Sequence, residues 1–336
     1  MTNYTLNEIC SQPEVWQQTL DLCQQHDARN FREWLSSSHP VLTGSGSSFY
    51  LCLTAAAYFT KLTGHCASAI SASEVCTFAE AYFSARSHGS LLAVSRKGKS
   101  VETVEAARWF KEKRSAQTIT ISTLTESPLL ELCEPALLLT VAAEQSRYMT
   151  RSFTSMLLAI QWLAAAATEH QELTKELFHL PEIGRQVLDR CRTECKFLAE
   201  QKPVGDFVGL GQGPFYGLSA ESMLKLKEMV RVPAQAYPSL EVMHGPNYLF
   251  NKDSLITLIL SDSARSYELA LLEKLRKSEA SVFVICESAS PEIRAHANYV
   301  FELKSRLSEL ARLILVMPIM QFLAYYRALV TGKILE

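Results

Sequence analysis

The chain has 336 residues, of which 48% are apolar, and its formal net charge is −2. This length allows about two domains of roughly 150 residues each. The near-neutral charge gives no general attraction for nucleic acid or for an anionic membrane surface. Nine scattered cysteines include no C-x-x-C pair, which is typical of reduced and mostly buried thiols. The N-terminus lacks the pattern of a signal peptide, and the apolar run "SMLLAIQWLAAAA" is shorter than the about 20 residues that span a bilayer. We therefore expect a soluble cytoplasmic protein.

The first half alternates helices with short apolar strands. Residues 3–35 are predicted to be helical, with Pro13 in a first turn. Strands are then predicted at "HPVLTG", "SAISAS", "SLLAVS", "TITIST" and "ALLLTVAA". Helices are predicted at "FYLCLTAAAYFTKLTG", "EVCTFAEAYF", "VETVEAARWFKEKR" and "TRSFTSMLLAIQWLAAAA".

Residues 166–184 are polar and charged, and we predict a linker there between domains at 1–165 and 185–336. The second half repeats the plan, with strands at "DFVGLG", "AQAYPS", "SLITLILS", "SVFVICE" and "YVFEL". Its helices are predicted at "QVLDRCRTECKFLAEQ", "LSAESMLKLKEMV", "SYELALLEKLRKS" and "RLILVMPIMQFLAYYRALV". Short apolar strands alternating with helices indicate a parallel sheet covered on both faces. We predict an α/β protein made of two doubly wound parallel-sheet domains.

Two loops of the first half have the character of an anion site. "TGSGSSFYL", residues 43–51, offers backbone N–H groups, hydroxyls and the start of a helix, although a tight strand–helix turn is the simpler interpretation. It matches neither the dinucleotide fingerprint nor the P-loop. "AVSRKGKSVETVE", residues 93–105, adds Arg96, Lys97 and Lys99, or is a solvated basic turn. Because the carboxyl ends of such strands converge on one crevice, the two loops together favour a phosphomonoester.

One helical face of the second half carries Glu221, Lys225 and Glu228 at i, i+4, i+7 spacing. An ion-paired surface stripe is the alternative. Apolar residues fill the rest of this helix, so we expect it to be buried, where a carboxylate is costly unless it is paired or used. Glu228 is therefore a candidate general base. His244 precedes a Gly-Pro turn, and Glu241 is spaced to orient its imidazole, although a surface histidine is also possible.

A further segment, "EQSRYMTRSFTSML", holds three hydroxyl residues at Thr150, Ser152 and Thr154. They are placed either to close over a sugar or phosphate or to cap the long helix that follows. The sequence does not decide between these two roles.

Together these segments resemble the sugar isomerase (SIS) domain family, which includes the glucosamine-6-phosphate synthases. The run "GLGQGPFYGLSAESMLKLKEMVRVPAQAYPSLEVMHGP" is similar to the family's second SIS domain, with its "ALKLKE" helix, "AEAY" strand and "E-x-x-HGP" turn. "GSGSSF" resembles the first loop, and "SRKGKSVET" lies where the family shows "SxSGxTxxT". "E-(x)6-RSFT" resembles "E-(x)6-KAFT", and "LAYYRALVTG" resembles the final helix. The resemblance covers nearly the whole chain as two tandem domains.

The resemblance implies a role for each matching residue. Glu228 would move a proton between C1 and C2, His244 would help to open the sugar ring, and Lys225 would assist beside them. In relatives this histidine reaches the neighbouring subunit's site, so a homodimer is implied, with neither metal nor cofactor. The substrate and its 6-phosphate would be held by Gly46, Ser47, Ser48, Ser95, Arg96, Lys97, Ser100, Thr103, Thr150 and Glu221.

The departures from the family shape the expected reaction. Lys97 stands where a phosphate-binding hydroxyl is usual, and it would bind phosphate as a point charge or accompany a bulkier anionic substrate. The segment "LSDSAR" lacks the phosphate pattern, so we expect one phosphate site per chain. The chain shows no glutaminase segment and no matching tail lysine, so we do not expect a complete aminotransferase.

The expected function is C1–C2 proton transfer on a 6-phosphorylated sugar in carbohydrate metabolism, with release of an amine. The enzyme would be an amino-sugar-6-phosphate deaminase/isomerase or a fructosamine-6-phosphate deglycase, and the shortened tail favours the second. A sugar-phosphate binding or sensing protein without catalysis is the alternative.

Overall fold

A computed structural model describes residues 3–26, 31–32, 34, 39–83, 89–114, 117–333 and 335. The chain divides into two compact units. The N-terminal unit is Ser11–Pro181, and the C-terminal unit is Glu182–Glu336 together with Met1–Cys10. Residues 1–10, which the predicted boundaries place in the first domain, therefore group with the C-terminal unit.

The N-terminal unit is built from a central sheet and surrounding helices. The strands are β1 (His39–Gly44), β2 (Ser68–Ser71), β3 (Gly89–Val94), β4 (Thr118–Ser122) and β5 (Ala136–Leu138). The helices are α2 (Gln12–Gln24), α3 (Ser47–Thr63), α4 (Ala72–Tyr82), α5 (Val101–Arg114), α6 (Pro128–Leu132), α7 (Arg151–Ala167) and the first part of α8 (Gln171–Gln201). Parts of the helical region predicted at 3–35, namely 27–30, 33 and 35, lie outside the described residues.

All strand pairs of the N-terminal sheet are parallel, in the order β2-β1-β3-β4-β5. β1, β3 and β4 are buried almost throughout, because helices cover both faces of a parallel sheet. The strand order reverses between β1 and β3, and ligands of doubly wound sheets bind outside the strand ends at such a point. The loops after β1 and β3 are therefore the topologically favoured ligand site of this unit.

The C-terminal unit repeats this arrangement. Its strands are β6 (Asp206–Gly211), β7 (Ala234–Tyr237), β8 (Ser254–Ile259), β9 (Ser281–Cys286) and β10 (Tyr299–Glu302). Its helices are α1 (Tyr4–Cys10), the rest of α8, α9 (Pro214–Lys225), α10 (Arg265–Leu275), α11 (Pro291–His296) and α12 (Val316–Val330). The parallel order β10-β9-β8-β6-β7 reverses between β6 and β8. The predicted α/β class, with two doubly wound parallel sheets, is confirmed.

Two local predictions differ from the structure. The polar segment predicted as a linker at 166–184 is helical from Gln171 onward, because α8 continues through Pro181. The apolar run "ALLLTVAA" forms a strand only over Ala136–Leu138 and then a 3-10 turn over Thr140–Ala142.

One helical segment, Ala311–Val330, is long and apolar enough to cross a membrane by length and composition. It is a different segment from the apolar run singled out in the sequence. In its most apolar window 89% is buried inside the structure, so the segment packs as a core helix.

Thr154 joins α7 to α2 through a buried chain of hydrogen bonds. The indole Nε1–H of Trp16 donates to Thr154 Oγ1 at 2.8 Å, and this hydroxyl donates to Gln12 Oε1 at 2.8 Å. Thr54 on α3 is equally buried, but its hydroxyl has no hydrogen-bond partner among the described residues. The two threonines form a matched pair.

We predict that Thr154→Val lowers the free energy of unfolding by about 2 kcal/mol or more, since each polar group left unpaired in a core costs about 1–3 kcal/mol. Thr54→Val should change it by less than about 0.5 kcal/mol or stabilise the protein. Urea denaturation of both variants measures the difference. Equal losses in the two variants would contradict the structural role of the Thr154 hydroxyl.

Candidate functional site

The first candidate loop follows β1 and begins α3. Gly46 has φ +57° and ψ −127°, a conformation that side-chain-bearing residues rarely adopt. It turns the chain so that α3 begins at Ser47, with Ser47 and Ser48 buried in its first turn. The N–H groups of a helix start attract anions, so this loop is suited to a phosphate group.

The second loop, which follows β3, meets the first through hydroxyl groups. Ser100 Oγ donates to Ser45 Oγ at 3.3 Å, and Ser45 Oγ lies 3.4 Å from Thr103 Oγ1. Ser95 Oγ accepts from the N–H of Gly98 at 3.1 Å and so folds this loop back on itself. We call Ser45, Ser100 and Thr103, with the starts of α3 and α5, the hydroxyl cradle. Ser45 was not among the predicted site residues, although it lies between the two glycines of the first loop.

Arg96 is bound to the protein itself. Its guanidinium donates to Glu144 Oε2 at 3.1 Å. It also donates to the carbonyl oxygens of Ser146, Arg147 and Tyr148 at 3.0–3.3 Å. These four bonds fasten the loop after β3 to the segment before α7, whereas Lys97 is exposed to solvent. Of these two basic residues, Lys97 is the one with an exposed charge.

Glu144 caps the helix that carries Thr150 and Ser152 at its start. Its carboxylate accepts from the N–H and hydroxyl of Thr150 at 2.7 and 2.8 Å, and from the N–H of Ser152 at 3.1 Å. The Ser152 hydroxyl donates to it as well. The Thr154 hydroxyl belongs to the buried hydrogen bonds with Trp16 and Gln12 described above. The hydroxyls of this segment are therefore engaged in capping and in the core, which explains the spacing of "E-(x)6-RSFT".

The C-terminal unit holds a fully buried lysine between two carboxylates. The Lys225 ammonium lies 3.2 Å from Glu221 Oε1 and 2.6 Å from Glu228 Oε2. The side chains of Lys225 and Glu221 are fully buried, whereas that of Glu228 is 36% exposed. Burial opposes the charge of Lys225, but the two carboxylates outweigh it and raise the pKa of Lys225 above its usual value. The ammonium therefore stays charged at neutral pH.

Glu228 lies on a single π-helical turn, Leu226–Val230, that follows α9. Such wide turns occur often at functional sites. The turn ends at Arg231, which adopts a left-handed conformation with φ +62°. On this turn Glu228 pairs with Lys225 while its side chain stays partly exposed, so the residue can both pair with Lys225 and contact a ligand.

His244 follows a 3-10 turn, Ser239–Met243, and is exposed. Its backbone N–H donates to the Glu241 carbonyl oxygen at 3.0 Å, so the contact between these two residues is a main-chain one. His244 lines a surface groove together with Met243, and α10 contributes Tyr267 and Lys274 to its wall. The imidazole is accessible to a ligand.

The loop after β8 is the counterpart of the Ser95 loop in the C-terminal unit. Here the carboxylate of Glu309 accepts from the N–H groups of Asp262 and Ser263 at 2.7 and 3.2 Å. The Ser263 hydroxyl donates to it at 2.7 Å. A carboxylate of the chain thus occupies the position that an anion would take, which supports the prediction of one phosphate site per chain.

A model of the SIS domain matches residues 35–166 and 206–331. Glutamine–fructose-6-phosphate aminotransferase (isomerizing) from Thermus thermophilus is 28% identical over 253 residues, covering 72% of this chain and 41% of that protein. The enzyme of the same name from Vibrio cholerae is 25% identical over 348 residues, covering 98% of this chain and 56% of that protein. The chain spans about half the length of the curated relatives it matches.

Solved structures share the fold. Tagatose-6-phosphate ketose/aldose isomerase from Escherichia coli has a TM-score of 0.88 at 21% identity, covering 98% of this chain and 93% of that one. Glucosamine-6-phosphate deaminase from Thermotoga maritima has a TM-score of 0.79 at 26% identity, covering 98% and 96%. The family resemblance predicted from the loops and the "LKLKE" helix is confirmed.

We predict that Lys225→Met lowers the free energy of unfolding by about 3–5 kcal/mol, because removing one partner of a buried ion pair leaves the other charge uncompensated. Replacing Glu221 by Leu in the same chain should restore much of the loss. Lys277→Met, which breaks an exposed i, i+4 pair with Glu273, is the control and should have little effect. Urea denaturation gives all three values, and a Lys225→Met variant as stable as the control would refute the buried pairing.

Proposed function

The chain belongs to the SIS domain family, and on this premise we propose that it catalyses proton transfer between C1 and C2 of a 6-phosphorylated sugar. The observation that carries the proposal is the pairing of the Glu228 carboxylate with a buried ammonium, on a side chain that is 36% exposed. A general base needs an accessible carboxylate in a fixed position, and the Lys225 pair supplies the fixed position.

The phosphate group is assigned to the hydroxyl cradle of the N-terminal unit. Its hydroxyls and two helix starts are donors, which suit a dianion, and the exposed charge of Lys97 lies in the same loop. In the C-terminal unit the corresponding position is filled by Glu309. Ser47, Ser48, Ser95, Ser100 and Thr103 keep the phosphate-binding and loop-shaping roles that the family resemblance implies.

The remaining residues have separate roles in the proposed reaction. Glu228 removes the proton from the carbon beside the carbonyl and returns it to the neighbouring carbon, by way of an enediol or enolamine. His244 donates and accepts the proton that moves when the sugar ring opens, which its exposure permits. Lys225 keeps Glu228 in place, and Glu221 balances the charge of Lys225. Pairing of two copies, with the partner's histidine at the site, stays a prediction, which the molecular mass in solution would decide.

We propose further that the reaction releases an amine, as in a deaminase or a deglycase. The support is the likeness to the Thermotoga maritima deaminase over 96% of its length. A screen of amino-sugar 6-phosphates and sugar–amino acid 6-phosphates, with ammonia or free amino acid as the readout, distinguishes the two. Isomerisation of a plain ketose 6-phosphate without any amine substrate would reduce the function to an isomerase.

The second candidate is a sugar-phosphate binding protein without catalysis, and incubation with 6-phosphosugars in deuterated water separates the two functions. We predict that the protein incorporates deuterium at C1 or C2 and that Glu228→Gln slows the exchange by about 100-fold or more, with little change in phosphosugar affinity. Glu292→Gln, which alters an exposed carboxylate of α11, is the control. Binding by the unaltered protein without any exchange would favour the sensor, and undiminished exchange in Glu228→Gln would remove Glu228 from the mechanism.

The hydroxyl cradle is tested by binding alone. We predict that Ser100→Ala weakens the binding of a 6-phosphosugar by about tenfold, because a hydrogen bond to a charged group contributes about 1.5–3 kcal/mol. Ser263→Ala, in the counterpart loop of the other unit, should leave the affinity unchanged. Titration calorimetry measures both. If Ser263→Ala weakened binding more than Ser100→Ala, the assignment of the phosphate to the N-terminal unit would be wrong.

A further inference from the structure

A single buried carboxylate joins the turn before His244 to α10. Glu268 lies in the first turn of α10 and is 0% exposed. Its Oε1 accepts from the hydroxyl of Ser239, the first residue of the 3-10 turn, at 2.8 Å. Its Oε2 accepts from the N–H and hydroxyl of Ser261 at 2.7 and 3.1 Å. The carboxylate therefore links the end of β8, helix α10 and the turn that leads to His244.

Burying the Glu268 carboxylate costs more free energy than burying an apolar side chain, so packing alone does not explain this residue. Burial raises the pKa of Glu268, while the hydrogen bonds from Ser261 and Ser239 oppose the rise. Among the described residues it is held by hydrogen-bond donors and by no ion pair, and burying a carboxylate in this way is unfavourable. Nothing in the proposed proton transfer at Glu228 needs this carboxylate. Its bonds point instead to a role in placing the turn.

The position of His244 is defined relative to α10. The groove that His244 lines has Tyr267, Ala270 and Lys274 of α10 on its other side. Val242, two residues before His244, packs in the same core cluster as Leu271 and Leu272. Apolar packing at Val242 sets how close the turn lies to the helix, but such contacts are not directional. The Ser239–Glu268 hydrogen bond is directional and sets the orientation of the turn.

We propose that Glu268 is a positioning residue that holds the Ser239–Met243 turn in the orientation in which His244 can act on the sugar ring. This inference rests on the proposed function, in which His244 serves ring opening and Glu228 serves proton transfer. Ring opening and proton transfer can then be affected separately, because Glu268 bonds to the Ser239–Met243 turn, whereas Glu228 is held by Lys225. Loosening the turn should therefore slow ring opening and leave carbon–hydrogen exchange intact.

Ser239→Ala is the sharpest variant, since it removes the bond to the turn and leaves both bonds to Ser261. Glu268→Gln is the conservative variant. Its amide can donate to Ser239 Oγ and still accept from Ser261, so the link is kept. Ser278→Ala, which removes a hydroxyl bonded to the Leu275 carbonyl at the far end of the same helix, is the matched control.

Two substrates separate the steps. One is a cyclic ketohexose 6-phosphate, with or without an amine at C1, on which the protein acts. The other is its 5-deoxy derivative, which lacks the hydroxyl that closes the furanose ring and so stays open. We expect Ser239→Ala to lower kcat for the cyclic substrate about tenfold at similar KM, because small misplacements of an acting group cost this much or more. Deuterium exchange on the open substrate should stay within about twofold, and Glu268→Gln and Ser278→Ala should behave as the unaltered protein does.

Amide hydrogen exchange of the peptide containing residues 239–245, followed by mass spectrometry, reports on the turn without any substrate. Ser239→Ala should speed exchange there by about tenfold, whereas Glu268→Gln and Ser278→Ala should not. Equal slowing on both substrates, unchanged kcat on the cyclic one, or unchanged exchange of this peptide would overturn the proposal. If the unaltered protein turned over neither substrate, the proposed function would fail, and the hydrogen exchange alone would still decide whether the carboxylate holds the turn.

Discussion

The interaction on which the candidate chemistry depends is the burial of the Lys225 ammonium between two carboxylates. An ammonium without access to water is tolerated only when anions replace its hydration. Glu221, one helical turn earlier, is as buried as the lysine. Glu228, three residues later on the π-helical turn, is partly exposed. The Glu228 carboxylate is therefore restrained by the Lys225 ammonium, which is itself held by Glu221. This is how a long and flexible glutamate side chain acquires one position at the edge of a core.

In each unit an ion pair fastens the loop after the central strand, which is β3 or β8. The loop residue of the pair is a cation in the N-terminal unit and an anion in the C-terminal unit. In the N-terminal unit, Arg96 in the loop after β3 pairs with Glu144 at 3.1 Å. In the C-terminal unit, the corresponding loop carries Asp262, which pairs with Arg312 at 2.7 Å. The first pair joins the loop after β3 to the segment before α7, and the second joins the loop after β8 to the segment before α12. The two loops differ in whether a carboxylate of the chain occupies them. Glu309 fills the C-terminal loop, and the N-terminal loop presents hydroxyl donors. The common scaffold thus has a loop closed by its own carboxylate in one unit and a loop with hydroxyl donors, the proposed phosphate site, in the other.

The sequence predicted those features that arise from local pattern. Continuous apolar runs identified the buried strands, and the Gly-Ser and "LKLKE" motifs located the loops and the helix that carries Glu228. Contacts between distant segments could not be predicted in this way. Arg96 was predicted to hold a phosphate, which stays a prediction, and its pairing with Glu144, 48 positions later, was not foreseen. The charged segment at 166–184, predicted as a linker, contains the boundary between the two units, but α8 makes it helical from Gln171 onward. Ser45 was missed because its neighbours in the cradle come from a loop 55 residues away.

In the proposed reaction Glu228, as the general base, changes its charge, and the Lys225 cluster accommodates this change. When Glu228 accepts a proton it becomes neutral, and a lysine paired with Glu228 alone would then be a buried and uncompensated cation. Because Glu221 lies 3.2 Å from the same ammonium and is itself fully buried, Lys225 faces an anion in both states. The buried pair can therefore stay folded and charged through the catalytic cycle while only the exposed member exchanges a proton. A two-residue arrangement of one lysine and one glutamate would not have this property, which gives Glu221 a role beside Lys225 and Glu228.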